Sequence, residues 1–358
     1  MNPKHIFKMT TQFFVLLLMG CALGIEIPAM GQTNALLKGH GRKALVFGGG
    51  GPSRPGSGPS HPQAAKNNFL ALMKNPDNNP KKGWTCDLSY DLMKSLGMDP
   101  SKTTLPALCD YLGKHDLGYR IFMIAGAGTG LFPGDLLTTN GMMPFCAHAN
   151  NIPGYRLEDR TGIGGFMAVG GGTGANFYSY GPSLEFYDAL PSWMSAGHYE
   201  DAAESWANQA LAARFARILD AHPKYNIWDA REHMRQAASR FAEGWTEKNG
   251  FGRVDEKASV ATLLPGAPVD FRMQPSKDGT SVAFAWQNFL QSDFAATVIA
   301  KEDGTVLYDG TGTTFTWTSD IEGDANFKFW SRNKAGVTSR LESFNTKTVH
   351  GLHKPTAQ

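Results

Sequence analysis

Three short apolar runs, each broken off by glycines, constrain this chain most. They are Ala44–Phe47 ahead of "GGGG", the run inside "RIFMIAGAGTG" (Arg120–Gly130), and the run inside "GFMAVGGGTG" (Gly165–Gly174). A brief apolar stretch bounded by turn residues reads as a buried strand. Three such strands with Gly-rich ends predict a mostly parallel sheet whose sites lie at its carboxyl edge. Helical segments fall between them. "LPALCDYLGKHDLG" spaces Leu105, Leu108 and Leu112 as a helix does and ends at Gly118. The expected class of this part is α/β.

Further on, "DAAESWANQALAARFARILDAHP" (Asp201–Pro223) runs without Pro or Gly to a His-Pro stop. Ala207, Leu211, Phe215, Ile218 and Leu219 form one stripe, with Arg214, Arg217 and Asp220 off it. Ser205 opens this helix, either as an N-cap or as a nucleophile on a helix N-terminus. A second helix is expected over about Ile227–Phe241, with Ala230, Met234, Ala237 and Phe241 inward and Asn226 as its cap.

From Leu264 the composition changes. "LPGAPVDF" is a proline-bearing linker, and "TSVAFAWQNF", "AATVIAKEDGTVLYDG", "TTFTWTS" and "NFKFWSRNKAGVTS" cluster β-formers between Asp/Gly turns. That pattern predicts a β-sandwich. With Trp286 early, Pro268 near the start and "FKFWSRNKAGVTS" late, it resembles a fibronectin type III module. That family usually has a Tyr where Phe327 or Phe329 falls.

Bulk numbers exclude some classes. With 42% hydrophobic and 18% charged residues the chain is globular rather than disordered. A net charge of +2 and the lack of any Lys/Arg cluster argue against nucleic acid. Lys4 and Lys8 precede the apolar run Phe13–Ile25, which is too short for a membrane span and matches an export signal. Two readings of it stand: plain secretion with cleavage around Ala29–Gly31, and a lipid anchor at Cys21 in "LMGC". The protein is expected outside the cytoplasm or in the cell envelope, and not transmembrane. Cys86, Cys109 and Cys146 are left, an odd number that allows one disulfide and a thiol. Their spacing matches no zinc site, there is no acidic loop for calcium, and neither metal nor cofactor is expected.

The block Ser205–Val260 resembles the C-terminal part of subtilisin-like serine peptidases. "AESWANQ", "DAHP", "AREHMRQAA" and the closing "GFGRVD" (Gly250–Asp255) follow that family's order and spacing. Upstream, "FMAVGGGTGANFYSYGPSLEFYDALP", "YRIFMIAGAGTG" and "TCDLSYDLMKSLGM" extend the likeness back to about Thr85. The resemblance implies a three-layer α/β domain and peptide-bond hydrolysis by an Asp, His, Ser triad, with Ser205 as nucleophile and a polypeptide as substrate or partner. Together with the leader and the β-rich segment it divides the chain into 1–31 as signal, 32–262 as the peptidase-like domain, 263–346 as the sandwich and 347–358 as a tail.

The motifs depart from the family at several points. Ala203-Glu204 precede Ser205 in place of Gly-Thr, and the family's oxyanion Asn falls on Ala127. Gly48 stands where the Asp should be, and no His-Gly-Thr motif exists. Between Val46 and Thr85 there is little room for a His-bearing helix, so His40, His61, His115, His148 and His198 all precede Ser205 without the expected context, and both base and acid are unassigned. The alternative is a non-catalytic protein that binds polypeptide or glycan. Minor candidates are His148 with Cys146, an anion cradle in "GGGGPSRPGSG", and a peptide groove lined by Trp193, Tyr199 and Trp206. "KALVFGGGGPS" also resembles the first strand of caspase-like peptidases, but "GHG" at 39–41 precedes it.

Overall fold

The computed structural model describes residues 41–48, 60–74, 83–127, 134–147, 155–156, 167–171, 179–180, 184–188, 204–342 and 345–355. The expected export leader with Cys21, and His40, His148, His198, Trp193 and Tyr199, lie outside them.

Six strands make one parallel sheet. They are β1 (Lys43–Phe47), β2 (Thr85–Leu88), β3 (Tyr119–Ala127), β4 (Met143–Ala147), β6 (Met167–Gly171) and β8 (Phe186–Asp188), in spatial order β2-β1-β3-β4-β6-β8. A separate pair, β5 (Tyr155–Arg156) and β7 (Ser179–Tyr180), is also parallel. Alternation along the strands explains the layers, because successive side chains point to opposite faces. Ala44, Val46, Ile121, Met123, Met143 and Phe145 face one core, packed under α1 (His61–Leu72), α5 (Glu204–Ala221) and α6 (Ile227–Gln236). Leu45, Phe122, Ile124 and Cys146 face the other, under α2 (Ser89–Ser95), α3 (Leu105–Lys114) and α4 (Gly134–Thr139). The result is a three-layer α/β/α unit.

The stretch between β1 and β2 corrects the expectation of little room. It holds the 12-residue helix α1, opened by His61 with Pro62 in its first turn, where a missing N–H costs nothing. Helix α6 is shorter than the periodicity predicts and ends at Gln236. Ala238 instead bridges Val254, and the Arg240 N–H bonds Phe251 O. The same segment accounts for "GFGRVD". The Phe251 N–H donates to Glu185 O and the Tyr187 N–H to Gly252 O, so the motif covers the β8 edge. Gly250 has φ +54° and a Cβ there would lie 2.3 Å from Glu185 O, which only glycine avoids.

The remainder is a sandwich of two antiparallel sheets. One holds β9 (Val269–Pro275), β10 (Ser281–Gln287) and β13 (Thr314–Thr318). The other holds β11 (Phe294–Lys301), β12 (Val306–Gly310), β14 (Gly323–Asn333) and β15 (Thr346–Leu352). Phe271, Phe284, Trp286, Phe327 and Phe329 fill its core, with Phe271 stacked on Phe329 at 3.8 Å. Phe327 and Phe329, both fully buried, occupy the region where a fibronectin-type Tyr would sit. Strand β15 pairs with β14 as far as Leu352, taking in residues expected in the tail, because Val349 and Leu352 are buried. No disulfide joins Cys86, Cys109 and Cys146. They sit on different strands and helices, and Cys86 faces the other core from the remaining two.

The two halves share a core. The β10–β11 turn carries Phe289, which belongs to the α/β hydrophobic cluster and packs edge-on to Trp228 at 4.8 Å. Asn226 donates to Leu290 O, and Ser292 donates to Asp229 through both its N–H and hydroxyl. Phe289→Ala is therefore expected to lower the stability of the whole chain by about 3–5 kcal/mol in one cooperative urea transition. Loss confined to the sandwich signal would contradict a shared core.

Candidate functional site

Helix α5 packs on one face of the sheet, beside α1 and α6. Asn208 is fully buried in its second turn and donates its Nδ2 to Ile124 O at 2.8 Å and Phe145 O at 3.4 Å. That ties the start of the helix to backbone carbonyls within β3 and β4. Ser205 is the second residue of α5, one turn before Asn208, and so stands inside the helix rather than at its cap. Its position brings the positive end of the helix dipole to bear. The helix is buried well beyond the predicted stripe: Asn208, Gln209, Ala210, Ala212, Ala213 and Ala216 join it. Small residues let α1, α6 and the sheet close around it.

The residue that the sequence reading left without a role is His61. Its imidazole lies against the Trp206 ring, 4.7 Å between centroids, with Trp206 next to Ser205 in the chain. Partial burial lowers its pKa below the usual 6.5, so the ring is neutral at pH 7 and able to accept a proton. His61 itself stays exposed at one side. The other described histidines are elsewhere. His115 stacks on Tyr111 at the end of α3, His222 and His233 meet beyond the far end of α5, about 25 Å away along its axis, and His350 and His353 are on the sandwich. The sequence signal for His61 is the pair "HP" after a run of turn residues, a helix-start pattern.

Other expected residues scatter. Ala127 is the last residue of β3, and Gly48 follows directly on β1. Cys146 is buried in the core on the opposite side of the sheet from α5, and burial pushes the Cys86 thiol up, which disfavours its thiolate. Trp206 alone of the three groove aromatics is described, and it is half-buried on His61. Among the described residues no group of three or more His, Cys, Asp or Glu could hold a metal ion. Nor is any described helix long and apolar enough to cross a membrane.

Two side chains beside the helix start were not anticipated. Asn208 Oδ1 and both polar atoms of Gln209 are buried without a partner. Such atoms cost about 1–3 kcal/mol each, a cost that apolar replacement removes.

At the sheet's far edge, Asp188 is fully buried and takes Arg214 and Arg253, while Glu256 takes Arg214 and, at 3.0 Å, Arg217. These pairs tie α5 to β8 and to the closing motif.

No family model and no curated protein matches the sequence. Among solved structures, the chain is similar to fervidolysin from Fervidobacterium pennivorans, a keratinolytic enzyme related to subtilisin. The identity is 14%, the TM-score 0.43, and the match covers 87% of this chain and 57% of that one. It is similar to the MycP3 protease of the type VII (ESX-3) secretion system at 13% identity and TM-score 0.38, over 63% of this chain and 85% of that one. Fibronectin(III)-like modules of Clostridium thermocellum CbhA match at 8% identity and TM-score 0.19, over 24% of this chain and 99% of theirs. The chain thus spans little more than half of fervidolysin's length. At these overlaps the function has to be argued from the chain's own residues.

Gln209→Leu is expected to leave the fold intact and raise stability by about 1 kcal/mol or more. Asn208→Ala is expected to lower it by about 1–3 kcal/mol, since two strand carbonyls lose their side-chain donor. Thermal melts of the two variants beside the parent check both signs.

Proposed function

We propose that this chain is an exported, subtilisin-like serine peptidase homologue that acts on polypeptides, with Ser205 as nucleophile and His61 as its base. The observation that supports the reading is the packing of His61 at 4.7 Å on Trp206, the residue after Ser205 in the first turn of a helix whose Asn208 donates to Ile124 O of β3. A serine hydroxyl needs a neighbouring base to become nucleophilic, and a neutral imidazole supplies it. In the acyl step the hydroxyl proton passes to His61 as the oxygen attacks the peptide carbonyl. His61 then returns that proton to the departing amine. The helix N-terminus favours the negative charge on the carbonyl oxygen. The basic and apolar leader supports export, with the lipid anchor at Cys21 as its variant.

The acid is the weak member. Gly48 follows β1 where the family resemblance expects an Asp. Loss of that group alone lowers kcat by about 10⁴ in enzymes of this mechanism. A slow Ser–His pair is the consequence. Gly48, together with Glu204 beside the nucleophile, favours a second reading, a platform that binds polypeptide or glycan without cleaving it.

A fluorophosphonate probe separates the two. Labelling of the parent is expected to be absent in Ser205→Ala and at least about 10²-fold slower in His61→Ala. Its rate is expected to rise with pH through a midpoint below 6.5, because the pKa of His61 is lowered by burial. No labelling of well-folded protein, together with retained binding of an unfolded polypeptide, would leave the platform reading.

A further inference from the structure

The linker between the halves passes between two glutamines. On one side Gln291 of the sandwich donates to Leu264 O at 3.0 Å and accepts from the Gly266 N–H at 2.6 Å. On the other, Gln236 at the end of α6 satisfies the linker in one orientation only. Its amide nitrogen then donates to Thr262 O at 3.1 Å and its oxygen accepts from the Leu264 N–H at 2.7 Å. The opposite orientation sets donor against donor and acceptor against acceptor, in return for one 3.3 Å contact to Glu232. With the linker satisfied, the atom facing Glu232 Oε1 at 3.3 Å is therefore the amide oxygen. An ionised carboxylate offers that oxygen no proton, whereas a carboxylic acid does.

The surroundings leave Glu232 without a hydrogen-bonded cation. It is 3% exposed. Arg231 gives Nε and Nη2 to Glu185 at 3.0 and 2.7 Å, and Arg235 gives its Nε to Glu185 at 2.7 Å. Arg235 Nη1 stays 3.7 Å from Glu232, outside hydrogen-bond range. Asp270 on β9 adds a further negative charge near Arg231, so two arginines already face two carboxylates. The linker segment 259–266 brings no charged side chain. Burial first, and then the nearby Glu185 charge, raise the Glu232 pKa to about 7 against the pull of Arg235 and Arg231.

We propose that Glu232 is a proton-operated latch: neutral, it donates to Gln236 and holds the linker between the two glutamines, and ionised, it lets the linker go. The step moves one proton between Glu232 and solvent and breaks no covalent bond. A carboxyl whose folded-state pKa is raised above 4.5 stabilises the fold below the unfolded value, and that stability is lost as pH rises through the folded value. The window is thus from about pH 4.5 to 7, and the halves loosen toward neutral and alkaline pH.

The test compares the full chain with Glu232→Gln, whose amide donates to Gln236 at every pH. The folding constant of the parent, relative to that of the variant, is expected to fall by about two orders of magnitude between pH 4.5 and 8. Over the same range hydrogen exchange at the Leu264 amide, corrected for its intrinsic pH dependence, is expected to lose protection in the parent and not in the variant. Parallel stability profiles overturn the proposal, and so does a diverging profile with unchanged Leu264 protection. Should the variant fail to fold, the parent alone decides: Leu264 protection that is constant from pH 5 to 8 overturns the latch.

Discussion

Helix α6 is buried over nearly its whole length although it carries Asp229, Arg231, Glu232, His233 and Arg235, and it can be so because Glu185 meets both arginines at once. Burial alone would push the Glu185 carboxyl up, but Arg231 and Arg235 hold it below its ordinary value. Removing one partner of such a group typically costs about 3–5 kcal/mol, since a buried charge is then left over. The rest of the molecule is arranged around this pairing. Glu185 leads into the edge strand β8, and its backbone carbonyl receives the closing glycine motif. The Phe289 ring covers both guanidinium groups from the sandwich side, with centroid distances of 5.7 and 4.6 Å. Sheet edge, helix and sandwich therefore depend on one ionic centre.

That arrangement explains why the sandwich is more than an appended module. Its β10–β11 turn completes the α/β core, and its Ser292 accompanies the Asn226–Asp229 capping box at the start of α6. A helix so poor in apolar side chains would gain little from packing by itself. Caps at its start, arginines along it and an aromatic plug above it add to the buried Ile227, Trp228, Ala230 and Met234. The same crowding leaves Glu232 with an arginine only at 3.7 Å, outside hydrogen-bond range.

At the opposite end of the α/β unit, the candidate site is built by backbone anchoring more than by motif. Asn208 binds carbonyls of β3 and β4, so the serine helix is held by side-chain contacts to the sheet backbone. His61 arrives on a different helix and reaches the region by stacking on Trp206. Its neighbour Pro62 and the preceding turn residues mark a helix start. Nothing in the local sequence tells which helix it will meet, because the two are far apart in the chain and are brought together only by packing on one face of the sheet.

The sequence by itself determined the parallel sheet, through short apolar runs stopped by glycines, and the sandwich, through β-formers between Asp/Gly turns. Both are local patterns, and their period is imposed by backbone geometry. It also marked Ser205 as a helix-start serine ahead of "GFGRVD". Tertiary structure alone decided that α6 stops at Gln236, since a pairing with Val254 outweighs continued periodicity. It decided that Phe289 of one half belongs to the core of the other. It also decided that His61 lies beside the serine helix while His115 does not. These outcomes rest on contacts between residues distant in sequence, which propensity and spacing do not encode.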